Sequence, residues 1–167
     1  MDDEFTSRTE PVQENMALQR RVWRFERVGW YALVVVILLG LAGVFGNGPL
    51  SDAQVSSRDG RLHVDYQRLS RSGTTDSLKI RVQGRAGELV DIQLSGSLFS
   101  VASIETLQPQ PQLSRSQGDS ILLQTGSSAD GRVTLYLTLR SESVGRLQGQ
   151  VRTGPATAVH FSTFLYP

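Results

Sequence analysis

The stretch GRVTLYLTLR, residues 131–140, shows most clearly what kind of fold this chain adopts. Its apolar side chains recur at every second position, at Val133, Leu135, Leu137 and Leu139. Successive side chains of a β-strand point to opposite faces, so this alternation predicts a strand with one buried face. Thr134 and Thr138 fall on the opposite face, and the tight-turn pair Asp130-Gly131 comes just before the alternation.

Similar segments follow one another along the rest of the chain. They are RLHVDYQR (61–68), SLKIRV (77–82), ELVDIQLSG (88–96), SLFSVASI (97–104), SILLQT (120–125), GRLQGQVRT (145–153) and TAVHFSTFLY (157–166). About eight strands at short spacing, with no helical segment among them, predict a mainly β fold. We expect an antiparallel immunoglobulin-like β-sandwich over residues 58–167, in which the loop of Pro109 and Pro111 crosses between the two sheets.

Upstream of these strands, residues 28–46 read VGWYALVVVILLGLAGVFG and contain no charged side chain. A helix needs about 20 apolar residues to cross the hydrocarbon core of a bilayer. The segment therefore predicts one N-terminal transmembrane helix. It divides the chain into a leader with a short juxtamembrane helix (1–27), the transmembrane helix (28–46), a linker (47–57) and the sandwich (58–167).

Four arginines, Arg20, Arg21, Arg24 and Arg27, crowd the N-terminal flank of the apolar segment. The opposite flank has no cation before Arg58. Because cationic residues favour the cytoplasmic side, we expect these arginines to orient the protein with its N-terminus in the cytoplasm. The juxtamembrane helix that carries them could alternatively be an interfacial helix that also binds anionic headgroups or a partner protein.

A cleaved export signal is the alternative to a permanent anchor. Ser51-Asp52-Ala53 has the small-x-small pattern of a cleavage site, and Arg20-Arg21 could belong to a twin-arginine signal. However, the leader is long and the apolar run exceeds the 7–15 residues typical of a signal peptide. These features favour an uncleaved anchor.

The second half of the apolar segment is rich in small residues, namely Gly40, Ala42, Gly43 and Gly46. Small side chains let helix backbones approach closely, and such packing drives helix association in lipid. We therefore expect this half to contact another membrane helix or a second copy of the chain, although glycine is common in membrane helices generally.

The chain has a short basic leader, one span ending near FGNGPLS and then a strand like VDYQRLSR. In this order of features it resembles a loosely defined set of uncharacterised bacterial inner-membrane proteins. The resemblance extends from the leader to about Val82. It implies a single-pass envelope protein with a periplasmic β domain in the bacterial inner membrane, and it implies no activity and no functional residues.

Signatures of catalysis are missing from the sequence. The net charge of +1 offers no general argument for nucleic-acid binding, and the chain has no cysteine to act as nucleophile or thiolate ligand. Its two histidines, His63 and His160, are far apart, and His63 with Asp65 is better explained as a solvent-facing polar row than as a metal site. No G-x-S-x-G elbow and no phosphate-binding glycine loop occurs. We expect no enzyme activity, metal or cofactor.

By elimination, the sequence favours a binding or scaffold module that serves as an accessory subunit of a membrane complex. The alternative is an envelope ligand or cell-wall sensor that signals to the short cytoplasmic tail. An enzyme with dispersed catalytic residues is the third hypothesis. Arg58, Arg61, Arg68 and Arg71 form a modest basic group that could touch lipid headgroups, with a solvated face as the preferred interpretation.

Overall fold

The computed structural model describes residues 16–41 and 51–167, with side chains from residue 19 onward. Helix α1 (Met16–Leu41) covers part of the expected juxtamembrane helix and the first part of the apolar segment without a break. Ala42, Gly43 and Gly46 of the expected packing surface lie outside the described residues. Among the residues that are described, no helix has the length and apolar character needed to cross a membrane.

The chain divides into two units within α1, between Leu38 and Leu39, and the second unit contains the β domain with its two sheets. Its elements are β1 (Asp52–Ser56), β2 (Leu62–Gln67), β3 (Leu69–Arg71), β4 (Thr75–Gln83), β5 (Leu89–Ser95), α2 (Ser97–Val101), β6 (Ser103–Gln108), β7 (Leu113–Gln117), β8 (Ser120–Gly126), β9 (Arg132–Arg140), β10 (Gly145–Thr153) and β11 (Thr157–Tyr166). The five-stranded sheet has the order β1-β2-β4-β9-β6, and the six-stranded sheet has the order β3-β11-β10-β5-β8-β7.

The core lies between the two sheets, and its side chains come from the alternating positions that the sequence indicates. The five-stranded sheet contributes Leu62, Val64, Ile80, Leu135 and Leu137, and the six-stranded sheet contributes Ile92, Leu94, Leu123, Val151 and Leu165. All of these side chains are at most 1% exposed. The predicted mainly β fold is confirmed, because each sheet buries one face against the other.

Three short strands were not anticipated by the alternation. β1 lies within the expected linker 47–57 and pairs with β2 over its whole length, so the sandwich begins before residue 58. β3 spans only three residues. β7 is an edge strand, and four of its five residues are exposed. β3 also pairs in parallel with β11, so the sheets are not purely antiparallel. Short edge strands bury few side chains and therefore carry little hydrophobic periodicity.

The segment 97–104, expected to be a strand, begins with helix α2 instead. Leu98 and Phe99 are adjacent and both buried, which a strand with one buried face cannot achieve. Gly96 starts the turn with φ 103°, and the backbone N–H of Phe99 donates to its carbonyl at 3.0 Å. The expectation of no helical segment in the domain is therefore wrong.

Two of the links between the sheets lie in loops, one along the chain and one through a hydrogen bond. The loop of Pro109 and Pro111 carries the chain from β6 in the five-stranded sheet to β7 in the six-stranded sheet, which confirms the predicted crossover. At the β1–β2 turn, Asp59 accepts hydrogen bonds of 2.5 Å from the hydroxyls of Ser57 and Thr157. These two bonds lower the pKa of Asp59 to about 2, and the second of them ties the turn to β11 in the other sheet.

Candidate functional site

The five-stranded sheet opens between β2 and β4. These strands pair only from Leu62↔Val82 to Asp65↔Lys79, whereas the ladder between β4 and β9 runs over the whole of Thr75–Gln83. Beyond the last pair, Tyr66 and Gln67 of β2 no longer pair with Leu78 and Ser77 of β4. We call this opening the β2–β4 cleft.

The opening arises because β2 leaves its sheet at Arg68. The next strand, β3, belongs to the six-stranded sheet, where the backbone N–H of Phe164 donates to the carbonyl of Arg68 at 2.7 Å. On the other side, the hydroxyl of Ser51 donates to the carbonyl of Leu69 at 2.6 Å. The chain thus passes from one sheet to the other, and the first residues of β4 have no paired strand on the β2 side.

The outer part of the cleft is a cavity of about 480 Å³ on the outer face of the sheet. Four of its lining residues stand in register on successive strands, Gln54↔Asp65↔Lys79↔Tyr136. Tyr136 is the large apolar side chain of this row, and it is 53% exposed. The row presents an amide, a carboxylate, an ammonium group and a phenol side by side.

Two charge contacts hold this row in place. Arg81 Nη2 lies 3.0 and 2.9 Å from the two carboxylate oxygens of Asp65. Lys79 Nζ lies 5.2 Å from the ring centroid of Tyr136, within the range of a cation–π contact. Partly exposed contacts of these kinds contribute about 0.2–1 kcal/mol each to stability. Their main effect is to restrict the rotamers of the side chains that line the cleft.

The inner end of the cleft reaches the aromatic part of the core. A cavity of about 20 Å³, close to the size of one water, is lined by Tyr66, Leu78, Leu98, Leu139 and Phe161 among others. The rings of Tyr66 and Phe161 are tilted by 46° with centroids 4.8 Å apart, and Phe99 meets Phe161 edge-on at 6.4 Å. The floor of the cleft is therefore apolar and closely packed.

One carboxyl group, that of Asp76, also lines this inner cavity. Asp76 accepts a hydrogen bond from the hydroxyl of Ser70, which is itself 3.5 Å from the hydroxyl of Thr74. Burial raises the pKa of Asp76 and outweighs the opposing effect of the Ser70 hydrogen bond. The inner cavity thus combines aromatic rings with a single carboxyl group whose charged form is disfavoured.

The histidines considered from sequence do not form a metal site with each other. His63 faces outward beside Arg81, and both oxygens of its neighbour Asp65 are engaged by that arginine. His160 lies on the six-stranded sheet with its Nε2 3.4 Å from the Nε2 of Gln150. Within residues 16–41 and 51–167, no three His, Cys, Asp or Glu side chains come together to hold a metal ion.

The four arginines near the start of the domain are not one group. Arg58 and Arg61 precede β2, whereas Arg68 and Arg71 follow it. A six-residue strand separates them by about 20 Å. Of the arginines expected to orient the chain, Arg20, Arg21, Arg24 and Arg27 all lie on α1, and the Arg27 guanidinium is 4.2 Å from the Trp23 ring centroid. Gly40 lies one residue before the end of α1.

The alternating pattern did not indicate that the residues of the β2–β4 cleft come together in one site. One signal was present, because Tyr136 is an aromatic residue at an outward-facing position of the alternating stretch 132–140. A second signal was Lys79, which is the one lysine of the chain. The opening itself has no signal in the sequence, because it depends on where the pairing of β2 with β4 stops.

No protein-family model and no curated protein matches the chain. Among solved structures, a cohesin module from a Clostridium perfringens family 33 glycoside hydrolase is 8% identical with a TM-score of 0.43, over 66% of this chain and 96% of that one. The chitin-binding domain of a chitinase from Pyrococcus furiosus is 9% identical with a TM-score of 0.41, over 67% of this chain and 100% of that one. Similarities this low carry no conclusion about what the chain binds.

Proposed function

We propose that this chain is a single-pass inner-membrane protein whose immunoglobulin-like sandwich is a periplasmic binding or scaffold module. In this proposal it serves as an accessory subunit of a membrane complex and has no enzyme activity. The observation that carries the binding role is the β2–β4 cleft, where polar side chains and Tyr136 surround a cavity of about 480 Å³. These groups supply hydrogen bonds and an aromatic face, through which binding sites commonly recognise partners and ligands.

The surface of α1 supports the anchoring role. From Leu33 to Leu41 its large apolar side chains are 41–77% exposed, and no charged residue follows Arg27 in the helix. An apolar surface of this kind requires a lipid or protein environment. The four arginines before Val28 favour a cytoplasmic N-terminus. In this proposal Gly40 of α1, together with Ala42, Gly43 and Gly46 outside the described residues, packs against a partner helix or a second copy.

Site-specific photo-crosslinking tests the binding role. A photoreactive phenylalanine analogue at position 136 of the full chain should form one defined protein adduct in intact cells, because its ring would lie in the occupied cleft. The matched control places the same analogue at position 160, an exposed position in a strand of the other sheet. Absence of an adduct at 136, or the same adduct from both positions, would contradict the proposal.

A ligand or cell-wall sensor is the second candidate, favoured by the size of the cavity. About 480 Å³ falls within the range of small-ligand sites, about 300–1,000 Å³. A sensor should respond to solubilised cell-wall fragments with NMR shifts confined to residues around Lys79 and Tyr136. An accessory subunit should show no such response and should give the protein adduct at position 136.

A further inference from the structure

A second surface of the domain combines apolar and cationic side chains. It lies on the outer face of the six-stranded sheet and consists of Leu69 and Arg71 of β3, Val144 directly before β10, Arg146 of β10, and Phe164 and Tyr166 of β11. We call this set the entry patch. It is distinct from the β2–β4 cleft, which opens through the other sheet.

The strand register brings these residues together on one face. Leu69 pairs with Phe164 and Arg71 with Tyr166 in the parallel ladder, and Arg146 pairs with Phe164 in the antiparallel one. Ser70 and Leu165, which lie between them in sequence, are 4% and 0% exposed and therefore point inward. Since neighbouring side chains of a strand alternate, Leu69, Arg71, Arg146, Phe164 and Tyr166 point outward. Val144 directly precedes β10 and is exposed.

The entry patch is exposed and carries positive charge. Val144 is 58% and Phe164 47% exposed, and both Arg71 and Arg146 are exposed. Arg146 donates to the Ser162 hydroxyl at 3.2 Å. Arg68 adds a further guanidinium group at the same corner, and Glu142 is the exposed acid of the preceding loop. Aromatic rings beside guanidinium groups are typical of surfaces that meet the interface of a bilayer.

The entry patch lies at one end of the domain. Ser51, the first described residue of the domain, contacts this end directly, since the backbone N–H of Arg68 donates to its carbonyl at 2.7 Å. The opposite end carries the turns Asp59-Gly60 and Asp130-Gly131. The patch therefore lies at the end where the chain enters the sandwich from the N-terminal part.

We propose that the entry patch rests on the headgroup layer of an anionic bilayer. Phe164, Val144 and Tyr166 would reach the interfacial region, while Arg71 and Arg146 would pair with lipid phosphates. This inference rests on the proposed function, because it takes the lipid surface to be the membrane in which α1 is anchored. A contact of this kind would fix the tilt of the sandwich and leave the β2–β4 cleft free for a partner.

Single-cysteine labelling tests the contact, since the chain contains no cysteine of its own. The full chain carrying Val144→Cys with an environment-sensitive fluorophore is reconstituted in vesicles of phosphatidylcholine and phosphatidylglycerol with nitroxide-labelled headgroups. We expect several-fold stronger quenching at position 144 than at Ala129→Cys, which lies in a turn at the opposite end. Adding Arg71→Ser and Arg146→Ser, or omitting phosphatidylglycerol, should remove most of the difference.

The outcomes separate this inference from the function on which it rests. If the labelled chain does not float with the vesicles, the proposed membrane anchoring fails. If it floats but the two positions are quenched equally, only the entry-patch contact is overturned. A spectral shift at 144 without quenching would assign the patch to a protein partner or a second copy, and would also overturn the proposal.

Discussion

Leu135→Ala should lower the free energy of unfolding of the sandwich by about 2–5 kcal/mol. Leu135 lies in the middle of β9, which pairs with a strand on each side, and its side chain is 0% exposed. Truncation removes buried methyl groups and leaves a cavity that β9, paired at this position with Ile80 of β4, cannot easily close. Chemical denaturation followed by far-UV circular dichroism measures the loss, because both tryptophans, Trp23 and Trp30, lie on α1 and do not report on the sandwich.

Thr134→Ala and Thr138→Ala are the matched controls for this prediction. Both threonines lie on β9 but face outward, at positions that alternate with the buried leucines. We expect each to change stability by about 0.5 kcal/mol or less, as is usual for surface substitutions. Equal losses on the two faces would mean that β9 is buried on both sides, which would contradict the two-sheet architecture.

Gly149→Ala should cost about 1–3 kcal/mol, the range for overpacked cores. A Cβ atom at position 149 would lie 2.4 Å from Cζ of Phe161 and 2.8 Å from two further ring carbons. The ring cannot move away freely, because Tyr66 and Phe99 pack against it. Because Gly149 has no side chain, the Phe161 ring can pack directly on the backbone of β10 and form part of the aromatic floor of the β2–β4 cleft. Thermal or denaturant unfolding of the variant measures the cost.

Two further variants give this prediction its controls. Gly126→Ala adds the same methyl group near the flexible amide of Gln112, 3.4 Å away, and should have little effect. Phe161→Leu in the Gly149→Ala background should recover part of the lost stability, since the smaller side chain relieves the contact. If Gly149→Ala is as stable as the wild type, the ring does not pack on the backbone of β10 as described.

The strands that bury a full face were predictable from the sequence. In β4, β5 and β9 every inward position from Leu78, Val90 and Val133 onward is apolar, and these strands form the centre of the core. Their outward positions are polar or charged, with Leu89 and Tyr136 as the exceptions. The hydrophobic effect acts on this pattern locally, so the pattern is visible in a single segment.

The remaining elements depend on interactions between distant segments. β3 forms because Leu69, Ser70 and Arg71 meet the end of β11, almost a hundred positions later. α2 forms because Leu98 and Phe99 must both reach the core beside β10. Nothing in these short stretches indicates the distant contacts that they make. Their own periodicity is too brief to distinguish a strand from a turn of helix.

The candidate site was hidden for the same reason. The β2–β4 cleft combines Gln54, Asp65, Lys79 and Tyr136 from four strands, and the entry patch joins Leu69 to Val144 and Phe164. Each residue alone is an ordinary member of an alternating strand. Only the point where β2 leaves its sheet, at Arg68, determines that a cleft opens on one side of the domain and an apolar patch on the other.

Alkaline extraction of the full chain from bacterial membranes tests most directly the claim that α1 anchors the sandwich to a bilayer. The wild-type protein should stay in the membrane pellet at full length. Leu33→Arg with Ile37→Arg, two exposed positions one helical turn apart, should move it to the soluble fraction, because charged side chains in the hydrocarbon core are costly. Ser116→Arg, on the exposed edge strand β7, should leave the wild-type result unchanged. Release of the wild-type protein by the alkaline wash, or a mature protein that begins at Gln54, would contradict the account.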